Sequence, residues 1–273
     1  MRIDIHTHAF PAHKAPEVLS GLIERTKEVC KVTAHGNGTL DDLVKQSVED
    51  GFDHVAVCPI AVRPEQHRYM EKHLTALRSG ACGELAQKHV IPCASLHPND
   101  PALEEHLETL LGLGLKMIKI HPYFQNVRLD SPEMLHFLGL MAKHHVPVLS
   151  HTGHDISYGW EEMASPQQIR NVMEHLPDLT LICAHCAAWR NPESEQLILG
   201  QKIYVDLSYQ PNGGTERLMQ RFGLEHPQDY ILFGSDWPWS RPAEHEAHIK
   251  AWGLSEERAA ALMGGNAQRI LGL

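Results

Sequence analysis

Short apolar runs recur along this chain, each followed by a stretch with helical spacing. The runs cover Arg2–His8, His54–Pro59, Val90–Leu96, Met117–His121, Val146–His151, Leu179–His185, Ile203–Ser208 and Tyr230–Asp236. Their length and β-branched content predict eight strands. Several run into Pro- or Gly-containing turns, as strand exits do. Between them the apolar residues fall on helical faces. Thr39 precedes Asp41 and Asp42, with Leu40, Leu43, Val44 and Val48 on one side, which reads as a capped helix start. Gln66–Lys88 places Leu74, Leu77 and Leu85 together, and Pro101–Leu111 does the same with Leu103, Leu107 and Leu110. Ser131–His144 and Ser165–His175 both open Ser-Pro, a cap followed by Pro at the first helical position. Shorter helices are expected at Asn191–Leu199, Thr215–Phe222 and Ala243–Trp252, and Ser255–Leu271 closes the chain.

Strands that alternate with helices build a parallel sheet. Eight such units in 273 residues predict a single-domain α/β protein over 1–273, closed into a (β/α)8 barrel. An open doubly wound sheet is the alternative, but no Gly-x-Gly-x-x-Gly follows a strand here. The first connection, residues 10–38, is unusually long. It holds a helix over Ala15–Lys31 and a Gly36-Asn37-Gly38 turn, and is expected to overhang the barrel mouth.

Composition narrows the function. A hydrophobic content of 42% supports a full core, and a formal net charge of −10 disfavours a nucleic-acid partner. No apolar run has the length of a membrane span, and no basic, apolar leader opens the chain. The expectation is a cytoplasmic protein acting on a small molecule, with no nucleic-acid or membrane partner and a homodimer left open. The six cysteines are scattered, which argues against a disulfide framework. Cys183-Ala184-His185-Cys186 has no second pair to complete a structural zinc site.

The C-terminal strand ends carry the chemistry. His6 and His8 end the first strand, Lys119 and His121 the fourth, His151 the fifth, His185 the sixth and Asp236 the eighth. Alternate residues of a strand share a face, so His6 and His8 point the same way, with Cα atoms roughly 6–7 Å apart. Parity then turns Ile3 and Ile5 toward the helices, and Asp4, His6 and His8 toward the axis. It likewise turns Lys119 and His121, and Tyr204, Asp206 and Ser208, inward. Taken singly, each has an ordinary role: a turn carboxylate for Asp236, a hydrogen-bonded core histidine for His151 or His185, a wall-lying chain for Lys119. Together, at one end of five strands, they need a shared partner, and a divalent metal supplies one.

The motifs Asp4-Ile-His-Thr-His8, Gly114-Leu-Lys-Met-Ile-Lys-Ile-His-Pro122, Ser150-His-Thr-Gly153, Ala184-His-Cys186, Phe233-Gly-Ser-Asp-Trp-Pro238 and Gly264-Gly-Asn-Ala-Gln-Arg-Ile-Leu271 resemble the amidohydrolase superfamily of metal-dependent barrels. They are similar to the branch that includes aminocarboxymuconate-semialdehyde decarboxylase and related hydrolases. The resemblance spans the chain. It implies zinc or another divalent transition metal, one or two per chain, held by His6, His8, His151 and Asp236, with His185 activating water. In binuclear relatives a lysine at the position of Lys119 carries a carbamate that bridges two metals, and His151 and His185 then bind the second. Asp236 would act as general base and then acid. Arg63, His121, His154, Tyr158, Trp160 and Trp237 follow strand ends and are candidates for substrate contact. The activity implied is hydrolysis of a C–O or C–N carbonyl bond in a small substrate, an anionic one included. Nonoxidative decarboxylation at the same metal is the alternative enzyme, and a catalytically inactive metal-binding protein the alternative of another class.

Overall fold

The structure, a computed structural model, describes residues 1–159, 161–208 and 216–273. Parallel strands alternate with helices around a closed barrel. The strands are β1 (Ile3–Thr7), β2 (His54–Val57), β3 (Val90–Ile91), β4 (Cys93–Ala94), β5 (Met117–Ile120), β6 (Val148–Ser150), β7 (Leu181–Cys183), β8 (Tyr204–Asp206) and β9 (Ile231–Leu232). They pair in that order within β1–β3 and within β4–β9. β3 and β4 are one barrel strand interrupted at Pro92, which has no N–H to give to a ladder. This is the third expected run, split in two. The barrel closes between its last and first strands. Ile5 N–H donates to Phe233 O at 3.1 Å, Asp236 N–H to His6 O at 2.8 Å, and His8 N–H to Trp237 O at 2.7 Å.

Two apolar layers follow from strand parity. Val55, Ile118, Ile120, Val148, Leu181, Val205 and Ile231 face outward and pack with helical Leu43, Leu74, Leu107, Phe137 and Phe222. Ile3, Ile5, Met117, Leu149, Ile182 and Leu232 fill the barrel, with Ala267 and Leu271 of the closing helix Asn266–Leu271 packed against them. Burying each such side chain contributes about 1.5–3 kcal/mol.

The helix starts read from sequence are capped as expected. Thr39 accepts from Asp42 N–H and Ser131 from Met134 N–H, while Ser165 and Gln168 form a reciprocal capping box. The long helix expected over Gln66–Lys88 is instead two, His67–Ser79 and Glu84–His89, separated by Gly80 and Gly83 at φ of 76° and 91°. Glycine takes that left-handed geometry without the penalty of a Cβ, so it ends the first helix.

β1 departs from simple alternation. Asp4 pairs with Val55 and Thr7 with Val57, so two residues of β1, Ile5 and His6, oppose the one residue Ala56 of β2. This is a β-bulge. It puts Ile3 and Ile5 inside the barrel, where uniform alternation put Asp4, and still delivers His6 to the axis. The Asp4 carboxylate holds the bulge, since its Oδ1 accepts from His6 N–H at 3.2 Å and from Ser235 N–H at 3.0 Å.

Candidate metal centre and active-site pocket

A cavity of about 160 Å³ opens at the C-terminal ends of the strands. That is close to the roughly 150 Å³ of a cavity that accommodates benzene. Its floor is polar: His6, His8, Lys119, His121, His151, His185 and Asp236 all line it. Its walls are apolar, from Phe10, Leu22, Val32, Ile60, Trp189 and Trp239. Leu22 belongs to the helix Ala15–Thr26, so the long first connection does overhang the site.

His6, His8 and Asp236 come together on the floor, with one ligand atom of each within 4.8 Å of the others. Asp236 Oδ1 lies 3.1 Å from His8 Nε2 and 3.5 Å from His6 Nε2. Both rings are oriented through their other nitrogen. His8 Nδ1–H donates to Cys58 O at 3.0 Å, and His6 Nδ1–H to Asp206 Oδ2 at 2.8 Å. This fixes the tautomer that leaves each Nε2 with its lone pair toward the pocket. Burial lowers His6 to about 4, with the Lys119 charge adding to the effect and Asp206 and Asp236 opposing it. Burial alone would raise Asp236, but the imidazoles of His6, His8 and His185 hold its carboxyl below the usual range.

Asp206 has a second duty. Its Oδ1 accepts from His185 N–H at 2.8 Å, from Ser208 N–H at 3.0 Å and from the Ser208 hydroxyl. His185 Nδ1–H in turn donates to Ser208 Oγ at 2.9 Å, which makes Nε2 the ring's lone-pair nitrogen. His185 and Asp236 both sit at positive φ, 57° and 60°, a conformation non-glycine residues adopt at a cost of about 1–3 kcal/mol. The hydrogen bonds from His185 N–H to Asp206 and from Asp236 N–H to His6 O hold them there.

His151 lines the same floor, with its ring 5.2 Å from that of His185, but falls outside the His6, His8 and Asp236 group. Its Nε2 and that of His121 face Asp155, and the three form a group of their own. Lys119 is buried, and its Nζ donates to His6 Nε2 at 2.9 Å. Burial pulls its pKa down, against the raising effect of Cys58, Asp206 and Asp236. Burial also lowers His121 and His151 well below the ordinary histidine value.

The substrate-contact candidates divide. His121 and His154 line the pocket. Arg63 is exposed at the turn Pro64–Gln66 and does not line the pocket, and its N–H donates to Gln66 Oε1 at 3.0 Å. Trp237 is fully buried in the outer layer and donates from Nε1 to Gln46 Oε1 at 3.2 Å. Tyr158 is 40% exposed and packs 5.4 Å from Tyr123, outside the lining. Trp160 lies outside the described residues. Sequence reasoning gave no role to Asp206, Ser208, Asp4 or Asp155. Alternation along β8 already turned Asp206 and Ser208 inward, and that was the available signal for two of them.

Fold and floor define a (β/α)8 barrel with a candidate metal centre at its C-terminal mouth. Residues 3–273 match the amidohydrolase family, and the chain belongs to it. No curated protein matches. Among solved structures the chain is similar to an uncharacterised TIM-barrel protein of Bordetella bronchiseptica, at 14% identity and TM-score 0.76 over 99% of this chain and 98% of that one. It is similar to a Polaromonas dihydroxybenzoic acid decarboxylase with bound manganese, at 16% identity and TM-score 0.69 over 100% and 97%. It is also similar to an Acinetobacter baumannii protein named as a 2-pyrone-4,6-dicarboxylic acid hydrolase, at 14% identity and TM-score 0.66 over 100% and 99%.

Proposed function

We propose that this chain is a metal-dependent hydrolase of a C–O or C–N carbonyl bond in a small, ring-sized substrate. The observation that carries the reading is the group His6, His8 and Asp236 on the floor of an apolar-walled pocket. The donors fit a divalent cation: two imidazole nitrogens, each fixed by a bond at the opposite nitrogen, and one carboxylate. Such a cation lowers the pKa of water and polarises a carbonyl. Asp236 takes a proton from the attacking water and passes it to the leaving group. His185, tied back through Ser208 to Asp206, presents Nε2 to orient that water. Trp189, Trp239 and the overhanging Leu22 and Val32 exclude bulk water and hold the substrate's apolar face.

We assign Lys119 as an unmodified amine that meets a substrate oxygen once a cation takes over His6 Nε2. It is the one Lys or Arg side chain lining the pocket among the described residues. The same lysine supports a second reading, decarboxylation of a ring-bearing acid whose carboxylate Lys119 would hold. Transfer of ¹⁸O from labelled water into the products of aryl esters, lactones and amides supports hydrolysis. Release of CO2 from hydroxybenzoates, with no water consumed, supports the second reading instead. In either case Asp236→Asn should abolish turnover, and near-normal activity would remove its role. A reducing compartment, the cytoplasm, suits a chain whose six cysteines are all free.

A further inference from the structure

Outside the pocket, three ligand-type side chains meet between two neighbouring helices. His67 opens the helix His67–Ser79, His106 lies on the helix Leu103–Gly112, and Asp100 stands on the loop that follows β4. One ligand atom of each lies within 4.8 Å of the others, and none of the three lines the pocket. The two imidazole rings stack face to face, with centroids 3.6 Å apart and planes 15° apart. His67 Nδ1–H donates to Pro64 O at 3.0 Å, which leaves the ring's lone pair on Nε2. His106 Nδ1–H donates to Asp100 Oδ2 at 2.7 Å. The Asp100 side chain is 1% exposed, and among the described residues its ion-pair partner is that imidazole, with no Lys or Arg. The local charge is negative: burial lowers the pKa of neighbouring His97, and the carboxylates of Asp100 and Glu65 both oppose that. A buried carboxylate without a cationic partner is costly. Protonating both rings to supply the charge would set two like charges 3.6 Å apart. A divalent cation supplies it with both rings neutral.

We propose that His67, Asp100 and His106 form a peripheral divalent-cation site of transition-metal type, away from the pocket and independent of the His6, His8 and Asp236 group. Two imidazoles and one carboxylate suit zinc or a neighbouring divalent metal. The cation takes the place of the proton between His106 Nδ1 and Asp100 Oδ2, and the ring's single proton moves to Nε2. His67 joins through its Nε2 lone pair. Ligands held at about 2.0–2.1 Å around a tetrahedral cation stand roughly 3.4 Å apart, so the His106–Asp100 pair must open by roughly 0.7 Å. The stacked rings must also tilt so that both lone pairs meet the ion. Once bound, the cation ties the start of the helix that follows β2 to the helix that follows β4. It clamps two adjacent strand–helix units from outside and takes no part in the chemistry of the pocket.

The test is a metal count, which needs no substrate. Metal-stripped protein is saturated with Zn²⁺, desalted and analysed for zinc, for wild type, His67→Ala, His106→Gln, Asp236→Asn and the double variant of Asp236→Asn with His106→Gln. Circular dichroism and a thermal melt accompany each, and either His67→Ala or His106→Gln suffices if the other does not fold. The expectation is that His67→Ala and His106→Gln each hold about one ion fewer than wild type. Asp236→Asn should still hold this ion, and the double variant should lose it. A wild-type count kept in full by folded His67→Ala and His106→Gln overturns the proposal. Loss of all zinc from Asp236→Asn overturns it too, and leaves the pocket centre standing. Loss of all zinc from folded His106→Gln contradicts the independence of the two sites, and so also overturns it. No zinc in wild type overturns both sites.

Discussion

Asp206 Oδ2 stands 2.8 Å from Nδ1 of His6, and the other oxygen of the same carboxylate holds His185 through its backbone N–H. One buried carboxylate therefore orients a candidate metal ligand and a candidate water-activating histidine. Burial alone would raise Asp206, but the His6 imidazole and the hydrogen bonds from His6 and Ser208 hold its carboxyl below the usual range. Asp206→Asn removes the charge and cannot accept from every donor it now serves. Zinc affinity, read by competition with a chelator, should fall about 10–100-fold, as for other carboxylates behind a metal-bound histidine. Unchanged affinity would remove this role.

Gly234 tests how tightly His6 is packed. A Cβ added there would lie 2.8 Å from His6 Cβ and 3.3 Å from Ser208 Cβ. Something must shift, and the nearest atom is the root of the His6 side chain. Gly234→Ala should lower stability by about 1–3 kcal/mol, the usual range for overpacking, and reduce zinc retention as well. Urea melts and metal analysis read the two effects separately. A variant as stable and as metal-retentive as wild type would show that β1 has slack here.

The β1 bulge makes a prediction about Asp4. Its carboxylate satisfies two buried N–H groups, those of His6 and Ser235. Asp4→Ala leaves both donors unpaired, at about 1–3 kcal/mol each. Asp4→Asn keeps an acceptor oxygen and should lose clearly less in urea unfolding. Equal losses for the two variants would mean that the carboxylate does not hold the bulge.

His226 predicts a pH dependence far from the metal centre. Its Nε2–H donates to Ile203 O at 2.8 Å while Nδ1 accepts from Gly200 N–H at 3.3 Å, so both nitrogens are satisfied only in the neutral ring. Burial, aided by Arg258, lowers it to about 4. An unfolded histidine titrates near 6.5. Between those values the unfolded chain binds the extra proton. The stabilising contribution is therefore full above about pH 6.5, declines as pH falls, and is gone below about 4. It amounts to roughly 3 kcal/mol. His226→Gln should make stability against pH less steep by up to about 1.4 kcal/mol per unit in that window. Parallel curves for variant and wild type would contradict this.

The strands and the barrel were legible because a period of two, β-branched residues and turn-forming exits are local signals. The capped helix starts at Thr39, Ser131 and Ser165 were legible for the same reason. The facing of Ile3, Asp4 and Ile5 was not. It depends on a bulge whose anchor, Ser235 N–H, is 231 positions away from Asp4. The assembly of His6, His8 and Asp236 was readable from strand ends alone. The place of His151 was not, because Asp155, which faces it, sits on a loop with no periodicity to orient it. Arg63 illustrates the same limit, since position after a strand does not say which way a turn residue points.

The central claim is that His6, His8 and Asp236 hold a divalent cation. Titrating metal-stripped protein with Co²⁺ and recording its visible absorption tests this without a substrate. Wild type should develop saturable ligand-field bands, and a folded His8→Ala variant should lose the part of that signal that arises from this centre. A His8→Ala spectrum superposable on that of wild type, or no bands in either, would contradict the account.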